Sequence, residues 1–141
     1  MLTLADITAR DWSMQLDSST GSSLPGAGLG TVVESFEDIA QCIGIILRTP
    51  KGTDPLRPDF ATDIFAFLDR PVTLVIPHLV REVFAALTTY EPRIVVVSVS
   101  VTLVPSEQGG AHLQATVKWR LNVQPTSAVQ TTVVILGGAE R

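Results

Sequence analysis

The stretch from Ile94 to Val104 limits the possible folds of this chain more than any other. Its sequence, IVVVSVSVTLV, is rich in β-branched residues and predicts a β-strand. The even-numbered residues are apolar only at Ile94 and Val96 and polar at the next three even positions. The odd-numbered residues are all apolar, so we predict that they form one unbroken buried face: Val95, Val97, Val99, Val101 and Leu103. A charged tripeptide, Glu91-Pro92-Arg93, stands directly before this strand.

The residues after this strand predict an antiparallel sheet. A polar loop with Gly109-Gly110 favours a hairpin. His112 to Val123 then alternates between apolar and polar residues, which is typical of a half-exposed antiparallel strand. After a turn at Pro125, Val129 to Leu136 predicts a further strand. Residues 91–141 therefore form the predicted β-sheet part of the chain.

Residues 32–90 are predicted to be mainly helical. A first helix opens at Ser35 and ends at the segment Thr49-Pro50-Lys51-Gly52. Its predicted buried face consists of Ile39, Ile43, Ile46 and Leu47. A short helix is predicted over Phe60 to Leu68, with packing residues Phe60, Ile64, Phe65 and Leu68.

A second long helix is predicted to start at Pro77. Proline fits the first turn of a helix, and Ile76 before it is biased away from helical conformation. The predicted apolar stripe of this helix consists of Leu79, Val80, Val83, Phe84 and Leu87.

The whole chain fits one domain of the α+β class. Its 141 residues are a usual length for a single domain. Residues 1–31 are predicted to be a flexible lead-in with a short strand from Trp12 to Leu16. The two main helices and the short helix are predicted to pack on an antiparallel sheet of three to four strands.

No pattern in the sequence predicts catalysis, a metal site or a cofactor. His78 and His112 do not have the spacing of metal ligands, and no nucleophile, base and orienting group can be nominated. Cys42 has no histidine or basic residue next to it, so we interpret it as a small buried apolar residue rather than a reactive thiol.

Charge and hydropathy limit the classes of partner that this chain is expected to bind. The net charge of −4 and the lack of a basic run argue against nucleic acid as the partner. The apolar run around Ile94 is far shorter than the ~20 residues of a membrane helix, so no membrane partner is predicted. The N-terminus lacks a basic segment followed by an apolar core, and no signal peptide is expected.

The order of several motifs resembles a known family. An amphipathic helix opens with Ser35-Phe36-Glu37-Asp38-Ile39, Arg57-Pro58-Asp59-Phe60 follows, and Tyr90-Glu91-Pro92-Arg93-Ile94 opens a strand. This order resembles the baseplate wedge and tail-sheath initiator family of contractile phage tails, to which protein W of P2-like phages and a type VI secretion baseplate subunit belong. The resemblance covers Val32 to Val104, and it extends to the C-terminal strands by pattern only. Ala61 departs from it, because the family usually has glycine there, and we therefore expect a different backbone at this residue.

The resemblance implies a structural, non-enzymatic subunit of a virion tail baseplate, assembled in a host cytoplasm. It implies six copies in a sixfold ring around the tail tube. The implied partners are other baseplate wedge proteins and the tail sheath protein, with tail tube or hub proteins as further candidates. By this resemblance Glu91 and Arg93 would make charged contacts to the helical bundle of the wedge, and Pro92 would fix the turn between helix and strand.

The resemblance also implies β-structure on which the first sheath ring polymerises. The last predicted strand carries little charge and would be a poor free edge unless another strand pairs with it. Pairing with a sheath strand would satisfy its backbone groups. The residues predicted to take part are Val129, Thr131, Val133 and Ile135.

Several alternatives remain open from the sequence. The last strand fits equally well inside the sheet, and Glu91 and Arg93 could simply pair with each other. Some members of the family carry a lysozyme-like label, so a peptidoglycan-degrading enzyme is one alternative function. A free-standing cytoplasmic binding module is another. The machine itself could be a phage, a tailocin or a secretion system.

Overall fold

The computed structural model describes residues 12–14, 32–67, 70–105, 111–122, 126 and 128–136. It confirms the predicted α+β class, with two α-helices, a 3₁₀ helix and an antiparallel three-stranded sheet. The elements in chain order are β1 (Trp12–Met14), β2 (Val32–Glu34), α1 (Phe36–Arg48), the 3₁₀ helix (Ile64–Phe67), α2 (Val72–Tyr90), β3 (Ile94–Pro105), β4 (Ala111–Leu121) and β5 (Gln130–Leu136). The chain divides into two compact units, residues 1–42 and 43–141.

The first unit contains a small antiparallel pair of strands, β1 and β2, with Ser13 opposite Val33. The side-chain amide of Gln41 donates hydrogen bonds of 2.9 Å to Ser13 Oγ and to the carbonyl of Met14. The predicted strand from Trp12 is present over Trp12–Met14, whereas residues 15–31, with most of the predicted flexible lead-in, are not among those described. Strand β2 lies where helical structure was predicted, and its three residues are too few for a period to be recognised.

Helix α1 has the predicted apolar face, since Ile39, Ile43, Ile46 and Leu47 are all buried. The predicted short helix is instead a 3₁₀ turn over Ile64–Phe67. Ile64 is buried as predicted, but Phe65 is exposed.

Helix α2 starts at Val72 and not at Pro77, so the predicted start is wrong. Its first turn is closed by the carbonyl of Pro71, which accepts hydrogen bonds from the amides of Leu74 (3.0 Å) and Val75 (3.2 Å). Val75 is buried on the same side as Leu79 and Val83. This burial outweighs the local preference of a residue before proline and carries the helix through Pro77.

The buried stripe of α2 also differs from the predicted one. It consists of Val75, Leu79, Val83, Ala86 and Leu87. Val80 is half-buried and Phe84 is 49% exposed, so Phe84 does not belong to it. Within the described part of the chain, α2 is also the one helix long and apolar enough to cross a membrane by length and composition alone, a test that packed core helices pass as well.

The sheet has the order β3-β4-β5, and all its pairs are antiparallel. One face of β4 is fully buried, at Leu113, Ala115, Val117 and Trp119. Val134 and Leu136 of β5 are buried opposite Ala115 and Leu113. The indole Nε1 of Trp119 donates a 2.9 Å hydrogen bond to Thr132 Oγ1, which satisfies the polar atom of the largest buried side chain.

A β-bulge in β3 overturns the prediction of one unbroken odd-numbered face. Val96 pairs with Trp119 and Ser98 pairs with Lys118, so Val97 has no partner of its own in β4. The extra residue reverses the alternation, because side chains in a strand point to opposite faces in turn. Ile94 and Val96 therefore share the inner face with Val99 and Val101, whereas Val95 and Val97 are exposed.

Candidate partner-binding surfaces

The segment Glu91-Pro92-Arg93, called the Glu91 turn below, joins the end of α2 to the start of β3. Pro92 disfavours helical conformation at Glu91, whose φ of −126° and ψ of 75° end the helix. The amide of Glu91 still donates to the carbonyl of Leu87 (3.0 Å), and its carbonyl accepts from the amide of Ile94 (3.4 Å). Helix and strand are therefore joined by a turn that is hydrogen-bonded on both sides.

Within this turn, Glu91 and Arg93 form a bidentate ion pair. Arg93 Nε lies 2.6 Å from Glu91 Oε1, and Arg93 Nη2 lies 2.8 Å from Glu91 Oε2. Glu91 is only 4% exposed, whereas the side chain of Arg93 is 30% exposed. The two parallel hydrogen bonds fix both side chains. Because Glu91 is buried, Arg93 is the member of the pair that has surface to offer a partner.

The end of β4 holds the other side of the Glu91 turn. The backbone amide of Asn122 donates to the carbonyl of Arg93 (2.8 Å), and its side-chain amide donates to the carbonyl of Pro92 (3.3 Å). This role of Asn122 was not predicted from the sequence. The signal for it was weak, since a polar residue at a strand end is also common in ordinary loops.

The motif Arg57-Pro58-Asp59-Phe60, in the loop before the 3₁₀ helix, contacts the residue that precedes the Glu91 turn. The Phe60 and Tyr90 rings meet edge to face with their centroids 5.0 Å apart. The hydroxyl of Tyr90 donates a hydrogen bond to the carbonyl of Asp59. Residues 59–60 thus contact the residue directly before Glu91, and Tyr90 brings together two of the three motifs that carry the resemblance.

The last strand, β5, lies at an edge of the three-stranded sheet, so the alternative that placed it inside the sheet is wrong for the described residues. It pairs with β4 without a register shift from Leu113↔Leu136 to Trp119↔Gln130. The four side chains predicted to take part in strand pairing are all exposed: Val129, Thr131, Val133 and Ile135. On this face Val133 lies opposite Thr116 and Ile135 opposite Gln114.

The opposite edge, β3, is built differently. It carries the bulge at Val97, and bulges interrupt the regular row of backbone donors and acceptors that a further strand would need. The described sheet thus has one regular edge, β5, and one interrupted edge, β3.

The residues considered for other chemistry, Cys42 and His78, make local contacts. Cys42 is half-buried with its Sγ 4.0 Å from Asp38 Oδ1. His78 is exposed and stacks on Phe67 at a centroid distance of 5.5 Å. Among the residues that the structure describes, no three His, Cys, Asp or Glu side chains are grouped so as to hold a metal ion.

Ala61 has a φ of 78°, in the left-handed region that glycine favours. The expectation of a different backbone at this departure from the family is therefore not supported. The alanine takes up a conformation suited to the usual glycine.

Sequences similar to this one are those of tail baseplate proteins. The sequence profile of the baseplate wedge protein gp25 family matches residues 33–126. Baseplate protein W of Escherichia phage P2 is 33% identical over 72 residues, which are 50% of this chain and 63% of the phage protein. The matched region thus spans less than two thirds of that relative.

Two solved structures are also similar. A crystal structure from Geobacter sulfurreducens, of a candidate tail lysozyme, has 31% identity and a TM-score of 0.59, covering 73% of this chain and 92% of its own. A chain in the baseplate complex of a type VI secretion system has 22% identity and a TM-score of 0.52, covering 72% of this chain and 93% of its own. At that identity the second likeness shows the fold alone.

The profile match covers well over half of the chain and includes both α-helices, β3, β4 and the Glu91 turn. The family inferred from the motifs between Ser35 and Ile94 is confirmed, and so is the expected location in a tail baseplate. The chain belongs to the baseplate wedge protein gp25 family, a family of structural baseplate proteins.

Proposed function

We propose that this chain is a structural, non-enzymatic baseplate subunit of a contractile tail that docks on the wedge through the Glu91 turn and starts the sheath at the β5 edge. The observation that carries the proposal is that the regular sheet edge β5 and the Glu91 turn belong to one compact unit, residues 43–141. Its partners are other baseplate wedge proteins and the tail sheath protein, with six copies in each baseplate. Tail tube or hub proteins are further candidates.

Sheath initiation rests on the properties of β5. The exposed side chains Thr131, Val133 and Ile135 of this strand, and Val129 directly before it, are uncharged, whereas natural sheets usually protect a free edge with charges or bulges. A strand of the sheath protein added to β5 would satisfy the open backbone groups, and its side chains would pack beside Val133 and Ile135.

Docking on the wedge rests on the rigidity of the Glu91 turn. The bidentate pair and the hydrogen bonds from Asn122 hold the guanidinium of Arg93 at a fixed, partly exposed place. A charge held in place loses less conformational entropy on binding than a free arginine side chain. In this proposal Arg93 meets the partner, Glu91 orients Arg93, and Pro92 sets the end of α2.

The test of sheath initiation compares two matched substitutions. Each variant is supplied to a strain whose own gene for this chain is deleted, and the tails it makes are purified. Val133→Lys puts a charge on the β5 edge, and Val95→Lys puts the same charge on the exposed face of the β3 edge. We expect electron microscopy to show baseplates without sheath for Val133→Lys and normal sheathed tails for Val95→Lys. Normal sheaths on Val133→Lys tails would contradict the role of β5.

A second experiment tests docking by exchanging the two charges. The double substitution Glu91→Arg with Arg93→Glu allows a local ion pair but reverses the charge offered to a partner. We expect the exchanged protein, once its folding is verified by thermal unfolding, to be missing from purified particles in quantitative mass spectrometry. Normal incorporation would mean that the pair acts only within the chain. If the unchanged chain itself were absent from particles, a free-standing module would be favoured.

The name of the Geobacter sulfurreducens relative raises the alternative of peptidoglycan cleavage. A glycosidase uses two carboxyl groups across a cleft, one of them protonated as the acid. Glu91 is buried, and both its carboxylate oxygens already accept hydrogen bonds from Arg93 within the chain. We therefore expect the purified chain not to reduce the turbidity of a peptidoglycan suspension. Clearing that is lost on changing an acidic residue to its amide would favour the enzyme.

A further inference from the structure

The most exposed large apolar side chain of the described residues is Leu56, at 92% exposure. It lies at the tip of residues 50–62, called the Leu56 loop below. Single exposed leucines are common on protein surfaces and need no explanation by themselves. The Leu56 loop differs from such cases because its backbone is fixed.

Four hydrogen bonds hold the tip and its approach. Asp54 Oδ1 accepts from the amide of Leu56 (2.9 Å), and the carbonyl of Asp54 accepts from the amide of Arg57 (3.2 Å). Thr53 Oγ1 donates to the carbonyl of Pro50 (2.7 Å), and the amide of Phe60 donates to the carbonyl of Arg57 (2.9 Å). Pro55 and Pro58, on either side of the tip, restrict the backbone further. The backbone at Leu56 is therefore held in one conformation.

The two ends of the loop are also joined. Pro50 and Thr62 form a parallel bridge, in which the amide of Lys51 donates to the carbonyl of Thr62 (3.0 Å). Asp59 and Phe60 rest on Tyr90, the residue before the Glu91 turn. The Leu56 loop thus packs against the residue that precedes the turn containing Arg93.

We propose that Leu56 is an anchor residue that enters an apolar pocket on the same wedge protein that meets the Glu91 turn. This inference rests on the function proposed above and adds a second contact to it. Because the loop is already ordered, insertion of Leu56 loses little conformational entropy. Large apolar side chains that fill a partner's pocket carry much of the affinity of protein interfaces.

The charges of the loop define the kind of pocket. Lys51 and Arg57 are balanced by Asp54 and Asp59, so the loop has no net charge to be matched. The pocket that fits Leu56 is therefore apolar and uncharged. This contact is insensitive to salt, whereas a contact made by Arg93 weakens as salt screens it.

The test uses the full chain in tails whose own copy is deleted, with incorporation measured by quantitative mass spectrometry of purified particles. We expect Leu56→Asp to lower incorporation by about tenfold or more, since a buried leucine contributes that much to binding. Leu56→Met, which keeps an apolar side chain of similar size, is expected to restore incorporation. Because Leu56 is almost fully exposed, neither change is expected to alter thermal unfolding of the isolated chain.

Two further variants separate an anchor from general surface effects. Leu74→Asp makes the same chemical change at a leucine of α2 that is 66% exposed, and we expect it to be incorporated normally. Asp54→Ala leaves Leu56 in place but removes the acceptor of its amide, and we expect an intermediate loss. Equal losses for Leu56→Asp and Leu74→Asp would overturn the proposal.

The outcomes also separate this inference from the function on which it rests. If the unchanged chain is present in particles and Leu56→Asp is incorporated equally well, the anchor is wrong and the baseplate role stands. If the unchanged chain is absent from particles, the baseplate role fails and the anchor fails with it.

Discussion

Ala61 shows how one residue can hold an unfavourable backbone conformation inside a packed loop. It is buried and has a φ of 78°, where an L-residue other than glycine is strained by about 1–2 kcal/mol. Its neighbour Thr62 belongs to the bridge that closes the Leu56 loop, and this bridge holds the strained conformation in place.

We predict that Ala61→Gly raises the free energy of unfolding by about 1 kcal/mol, because relief of strain exceeds the added entropy of the unfolded chain. Urea denaturation measures the change. The control is Ala85→Gly at an exposed position within α2, which is expected to lower the free energy of unfolding by about 1 kcal/mol. A loss of stability in Ala61→Gly would show that no strain is stored there.

The ion pair of the Glu91 turn is unequal in burial, which predicts unequal costs for removing its two members. Arg93→Ala leaves a carboxylate buried without its partner and is expected to cost about 2–3 kcal/mol of unfolding free energy. Glu91→Ala leaves an arginine that can turn toward water, and about 1 kcal/mol is expected. Equilibrium unfolding of both variants measures the difference, and the reverse order would contradict the assigned burial.

At the scale of elements, the hydrophobic pattern does not predict the bulge in β3. The run Val95, Val96, Val97 is apolar at every position, so it is compatible with either face and hides the reversal. Patterns with mixed residues were predicted well, as in β4, where apolar and polar residues alternate. The start of α2 lies before the predicted one because the burial of Val75 outweighs the local effect of Pro77.

For the candidate surfaces, the sequence indicated which residues take part but not how they are arranged. The resemblance pointed to Glu91 and Arg93 but could not show that they bind each other, since the geometry depends on how α2 meets β3. The edge position of β5 follows from strand order, which no local pattern records. The contacts of Tyr90 and Asn122 beside the Glu91 turn join residues that are distant in sequence, so local patterns do not predict them.

The bulge also makes a prediction about deletions. Removing Val97 leaves Val96 opposite Trp119 and Ser98 opposite Lys118, so every other side chain keeps its face. Removing Ser100 instead leaves three residues of β3 opposite residues 116–118 of β4, which moves Val99 to the outer face and Ser98 to the inner face. We expect deletion of Val97 to cost about 1 kcal/mol of unfolding free energy and deletion of Ser100, which exchanges a valine for a serine on the inner face, about 2 kcal/mol. Thermal unfolding followed by circular dichroism compares them, and equal costs would contradict the bulge.

At the scale of the whole molecule, the two sheet edges are expected to behave differently in solution. A regular uncharged edge favours pairing with a second copy, so the isolated chain is predicted to associate through β5 at high concentration. Sedimentation velocity should show less association for Val133→Lys and no change for Val95→Lys. Deletion of Val97, which makes β3 regular, should increase association; a decrease would show that the bulge does not protect that edge.

The interrupted edge at Val97 has a consequence for any polymer that begins on this chain. A seed with two equivalent edges could extend in two directions, and its product would have no defined orientation. A seed with a single receptive edge gives the growing array a polarity before the second subunit arrives. One extra residue in β3 is enough to make that difference.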